Sequence, residues 1–138
     1  MEPETSTKIL VVEDSVDDSF LLTRQLARAH LDDCVTVIGD GKDALSFLLH
    51  ATTLPLAVFL DLRLPSLGGI QLLETIRQEP RLKAIPVIVM TASIDPKDVD
   101  ECTRLGVTAY LPKPVSVATF IKIVAHLFPR VTAPKSSS

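Results

Sequence analysis

Pro86-Val87-Ile88-Val89-Met90, closed by Thr91, is an unbroken row of apolar residues with no polar alternation. Successive side chains of a strand point to opposite faces, so such a run leaves no face for water. It must be buried on both sides, as the strands of a parallel sheet are when helices cover each face. Further short apolar runs stand at 9–12, 35–38, 56–60 and 107–111, and together with 86–90 they imply five strands. The stretches between them read as helices. The clearest is the last, where Val117, Phe120, Ile121, Val124, Leu127 and Phe128 recur at i, i+3, i+4 spacing. Asp95, Pro96 and Asp98 supply an N-cap, a proline at the first helical position and an acid in the first turn, and Asp40 with Asp43 and Ser15 with Asp18 suggest two more helix starts. Strand then helix, five times over, predicts an α/β protein with a (βα)5 doubly wound five-stranded parallel sheet, because parallel strands need right-handed helical crossovers.

A chain of 138 residues, 46% hydrophobic, can bury one core without disulfides or a structural metal. The formal charge of -3, with Lys and Arg scattered, gives no electrostatic footprint for nucleic acid, so no direct DNA binding is expected. Cys34 and Cys102 lie far apart, without metal-ligand spacing, and suit burial in a reducing compartment. No apolar run is long enough to span a bilayer, and residues 1–7 are polar and acidic, so the expected location is cytoplasmic. Residues 1–7 and 130–138 read as disordered flanks of one domain over 8–129, with no second domain left in the chain for output.

In an open α/β sheet, function gathers outside the carboxyl ends of the strands. The residues there are Glu13, Asp14, Asp61, Thr91 and Lys113. Such groups drawn from water each need a partner. Three carboxylates brought together repel unless a cation joins them, and hard oxygen donors point to Mg²⁺, with Mn²⁺ as a substitute. With the charge neutralised by the ion and Lys113, one carboxylate can attack phosphorus, and Asp61, ending a central strand, is the best placed.

These residues and their spacing resemble the receiver domain of two-component response regulators, the CheY-like group with flavodoxin-like strand order 2-1-3-4-5. The resemblance rests on Val11-Val12-Glu13-Asp14-Ser15, on Leu60-Asp61-Leu62-Arg63-Leu64-Pro65 with Gly69, on Val89-Met90-Thr91-Ala92 and on Tyr110-Leu111-Pro112-Lys113-Pro114. It implies that Asp61 is the phospho-acceptor, that Asp14, Asp61, Glu13 through water and the Arg63 backbone carbonyl hold the metal, and that Thr91 and Lys113 hold the phosphoryl oxygens. Thr91 and Tyr110 would be the switch pair, and Lys113-Pro114 a cis peptide. The donor would be a sensor histidine kinase. The 81–86 approach to the fourth strand and the helix start at 93–96 resemble single-domain regulators that partner phytochrome-type kinases. Gly68 and Arg63 depart from the commonest pattern.

Two enzyme-like or carrier alternatives fit less well. A dehalogenase-type phosphatase needs a second acid two residues after the nucleophile, where Arg63 stands, and a flavodoxin would set its cofactor phosphate against Glu13 and Asp14. A degenerate receiver acting as a phosphorylation-independent docking module is the remaining alternative. A lone receiver signals by changing its surface, and the expected output is a homodimer through the fourth helix, fifth strand and fifth helix.

Overall fold

The computed structural model of the chain describes residues 9–28, 30, 35–64, 66–92, 95–113 and 115–127. The expectations for 1–7, 130–138, Cys34, Phe128 and the Lys113-Pro114 bond lie outside these residues. Strands and helices alternate as β1 (Ile9–Val12), α1 (Val16–Arg28), β2 (Val35–Ile38), α2 (Gly41–His50), β3 (Ala57–Asp61), α3 (Gly69–Gln78), β4 (Val87–Thr91), α4 (Pro96–Arg104), β5 (Ala109–Pro112) and α5 (Val117–Leu127). The strands form one parallel sheet in the order β2-β1-β3-β4-β5.

Strand alternation divides the core in two. Leu10, Val12, Val58, Leu60, Val87 and Val89 share a core with Ala44 and Leu48 of α2, Leu72 and Ile76 of α3, and Cys102 of α4. Ile9, Val11, Ala57, Phe59, Ile88 and Met90 share the other with Leu26 of α1 and Phe120 of α5, whose ring meets Phe59 edge-on at 4.3 Å. Only β1, β3 and β4 are buried throughout; β2 and most of β5, at the sheet edges, are half-buried.

Three strands differ in their limits from the sequence reading. β3 is shifted one residue from 56–60, leaving Leu56 39% exposed before it, and β4 likewise extends through Thr91. The cause is register: Asp61 pairs with Met90 and Thr91 with Pro112, so the ladder carries both polar residues inside the sheet. β5 starts at Ala109 instead of 107, because the Val107 N–H is used by the Cys102 carbonyl at 3.2 Å.

The expected caps form. Asp40 Oδ1 accepts from the backbone N–H groups of Lys42 and Asp43, Asp95 Oδ1 from that of Lys97, and Ser15 Oγ from that of Asp18. Two arginines to which the sequence assigns no role of their own tie loops together. Arg77 donates to the carbonyls of Leu105, Ile85, Lys83 and Gly106, at 2.8 to 3.2 Å. Arg81 donates to those of Leu48, Leu49, Ala51 and Thr52 around the C-terminal end of α2.

Candidate functional site

The sheet order reverses between β1 and β3, and a doubly wound sheet opens a crevice at such a point. Glu13 continues β1, its N–H donating to the Ile38 carbonyl at 3.0 Å, and Asp61 ends β3. Lys113 follows β5, its own N–H donating to the Thr91 carbonyl at 2.8 Å. Glu13, Asp61 and Lys113 fall on the same alternation as Val11, Phe59 and Leu111, which all pack on the α1 and α5 side. Parity therefore sends all three to one side of the sheet end.

There the Lys113 ammonium donates to Glu13 Oε1 at 2.5 Å and to Asp61 Oδ2 at 2.9 Å. The other oxygens are held by backbone: Ser15 N–H donates to Glu13 Oε2 and Arg63 N–H to Asp61 Oδ1, each at 3.0 Å. Glu13 and Asp61 are buried and Asp14 is exposed, yet a carboxylate oxygen of each lies within 4.8 Å of the others, close enough for one cation to join all three. That is a hard, anionic donor set open to solvent on one side, which suits a divalent ion that keeps part of its water.

Burial raises the Glu13 carboxyl above its ordinary value; the bonds from Lys113 and the Ser15 N–H oppose this, and the Asp61 charge adds to it. Burial also presses the Lys113 ammonium downward, but its bonds to Glu13 and Asp61 outweigh that and hold it above the usual lysine range. The amine is paired with two acids at once, which outweighs its burial, whereas at Glu13 burial outweighs the bonds it receives.

Gly69 makes the acceptor loop possible, since a Cβ there would overlap the backbone of Leu62 and the Asp61 carbonyl. Gly68, the N-cap of α3, offers no side chain, and Gln71 Oε1 instead accepts from its N–H at 3.2 Å. Thr91 is fully buried at the end of β4. Tyr110 packs on the opposite core from Asp61, beside Val89 in register, and burial, with Cys102, Asp98 and Asp95 nearby, raises its hydroxyl. The structure thus gathers Glu13, Asp14, Asp61 and Lys113 and sets Tyr110 apart on the α4 side, while Arg63 is exposed beside the acceptor.

One site neighbour was read from the sequence as a helix-start residue. Asp18 Oδ2 lies 3.4 Å from Lys113 Nζ. The available signal was its place one turn into the helix that leaves the same sheet end as Glu13 and Asp14. Beside it, a groove of about 630 Å³ runs between α1 and α5, lined by Leu21, Leu22, Val115 and Phe120.

A parallel doubly wound sheet with an acidic cluster and a bridging lysine at its switch point is the arrangement expected of a receiver domain. The chain belongs to the response regulator receiver domain family, whose model matches residues 9–125, and so to two-component signalling and not to the metabolic enzymes. It is 38% identical over 131 residues to the probable methanogenesis regulatory protein FilR2 of Methanothrix harundinacea, covering 92% of this chain and 84% of that one. It also resembles the Mn²⁺-bound response regulator Rcp1 of Synechocystis, with 34% identity and a TM-score of 0.73 over 90% of this chain and 91% of that one. A third likeness is to the phosphorylated cyanobacterial phytochrome response regulator RcpA, with 29% identity and a TM-score of 0.74 over 91% of each chain.

Proposed function

We propose that this receiver takes a phosphoryl group onto Asp61 from the phosphohistidine of a sensor histidine kinase, in a reaction that requires Mg²⁺ or Mn²⁺. The observation that carries the reading is the Lys113 ammonium bound to Glu13 and Asp61 together, a half-buried cation already standing among the acids. An Asp61 oxygen attacks phosphorus, the P–N bond to the kinase imidazole breaks, and an acyl phosphate forms on Asp61. Asp61 keeps its aim through the Arg63 N–H bond to Oδ1. Lys113 and the Thr91 hydroxyl meet the charge on the phosphoryl oxygens. Asp14, Asp61, Glu13 through water, and the Arg63 carbonyl would hold the ion, which supplies positive charge to the transferring group.

Thr91 and Tyr110 form the switch, coupling phosphate at Asp61 to the face made by α4, β5 and α5, through which the chain pairs with a second copy. Rcp1 in its Mn²⁺-bound form and RcpA in its phosphorylated form support the metal and the acceptor chemistry, and RcpA's kind favours a phytochrome-type kinase as donor. A degenerate docking module is less favoured because the acids and the lysine are all in place. The test is labelling by acetyl phosphate with Mg²⁺. Wild type should carry acid-labile phosphate and Asp61→Asn none; equal labelling of a folded Asp61→Asn would refute the assignment.

A further inference from the structure

We infer that Asp18 is a positioning residue that receives the Lys113 ammonium when a divalent cation takes Glu13 and Asp61, an inference that rests on the metal-dependent reading above. A lysine ammonium has three N–H donors. Three carboxylates surround it here, Glu13 Oε1 at 2.5 Å, Asp61 Oδ2 at 2.9 Å and Asp18 Oδ2 at 3.4 Å. The two nearer acids are also members of the set that would hold the cation. Ammonium and cation therefore compete for the same oxygens.

Asp18 stands outside that set. Its side chain is 55% exposed on the first turn of α1, whereas those of Glu13 and Asp61 are buried. Its backbone is fixed by the N–H bond to Ser15 Oγ, so a regular helix end presents the carboxylate at the rim. An ammonium left beside a dication with no acid of its own is repelled at close range in a partly dry site. A swing toward Asp18 keeps one charged partner and lengthens the distance to the ion. The flexible four-carbon stem allows this while the Lys113 N–H stays bonded to the Thr91 carbonyl at 2.8 Å.

The test is a double-mutant cycle of Mn²⁺ binding, with free ion counted by electron paramagnetic resonance, on wild type, Asp18→Asn, Lys113→Met and the double variant. With Lys113 present, Asp18→Asn should weaken Mn²⁺ binding roughly 3- to 5-fold, the scale of a partly exposed pair. With Lys113 replaced, the same change should cost less than about 1.5-fold, the weaker effect of a nearby charge in water. Asp18→Glu should restore most of the affinity. Equal losses in both backgrounds would mean that Asp18 acts only as a nearby negative charge, which overturns the inference and leaves the metal site standing. No saturable Mn²⁺ binding by wild type would overturn both. If Lys113→Met fails to fold, nuclear Overhauser contact between Lys113 Hε and Asp18 Hβ in wild type decides the matter: a gain on adding Mg²⁺ supports the relay, and no change or a loss refutes it.

Discussion

Lys113 and Arg77 are two cations drawn partly out of water at opposite ends of the sheet, and they are satisfied in different ways. Lys113, beyond the carboxyl end of β5, is ringed by the carboxylates of Glu13, Asp61 and Asp18. Arg77, on the last turn of α3, donates to the carbonyls of Lys83 and Ile85 ahead of β4 and of Leu105 and Gly106 ahead of β5. Burial presses on both. It lowers the Arg77 guanidinium below its usual range, while at Lys113 the bonds to Glu13 and Asp61 win. Carbonyl oxygens are neutral and fixed in the backbone, so the Arg77 set is permanent. Carboxylates carry charge that a metal ion or a phosphoryl group can claim, so the Lys113 set is exchangeable. A tie is built from dipoles and a switch from charges.

The largest stability effect should come from Arg77→Met. Bonds from a charged donor contribute roughly 1.5–3 kcal/mol each without adding fully, so about 2–3 kcal/mol is expected. In thermal unfolding that lowers Tm on the order of 10 °C for a chain of this size. Mg²⁺ should return none of it. An Arg77→Met protein that melts with wild type would show that the carbonyl set around Arg77 does not hold these loops together.

Lys113→Ala should cost less, about 1–2 kcal/mol in metal-free buffer, because it leaves Glu13 and Asp61 buried without their shared amine, though a nearby solvent path softens the penalty. Here excess Mg²⁺ should recover most of the loss, the ion taking the place of the ammonium. Calorimetric scans with and without Mg²⁺ separate the two cations directly. The same variant should bind metal and yet lose the phosphate-driven change at Tyr110, read by chemical shifts with beryllofluoride; an unchanged response would argue against the anchoring role of Lys113.

The smallest effect concerns Glu13. Its folded-state pKa is raised, chiefly by burial, so its ionised form is disfavoured in the fold relative to the unfolded chain. Without metal at pH 7, Glu13→Gln should therefore gain up to about 1 kcal/mol over wild type. As pH falls toward the ordinary value of 4.5, Glu13 takes up its proton in the fold first and the cost is relieved, so the Tm difference should close. A gap that widens on acidification would mean that the bond to Lys113 outweighs burial.

The runs at 9–12, 56–60 and 86–90 were legible as strands because burial on both faces writes itself into consecutive residues, those at 35–38 and 107–111 as short, mostly apolar runs between helical stretches, and Glu13, Asp14, Asp61 and Lys113 were legible because a strand end is a place that order along the chain defines. What that order leaves open is which distant groups meet. Register drew Asp61 and Thr91 into the sheet, which apolar patterning alone places just outside it. Asp18, legible only as a helix-start acid, reaches Lys113 across 95 residues, and Arg77 reaches Gly106 across 29. Periodicity is a local property set by the geometry of one element, and it fixed the five strands, their helices and the sheet end where chemistry collects. Pairing between charges depends on how those elements pack, and it is the packing that sets one cation among carbonyl dipoles and the other among carboxylates.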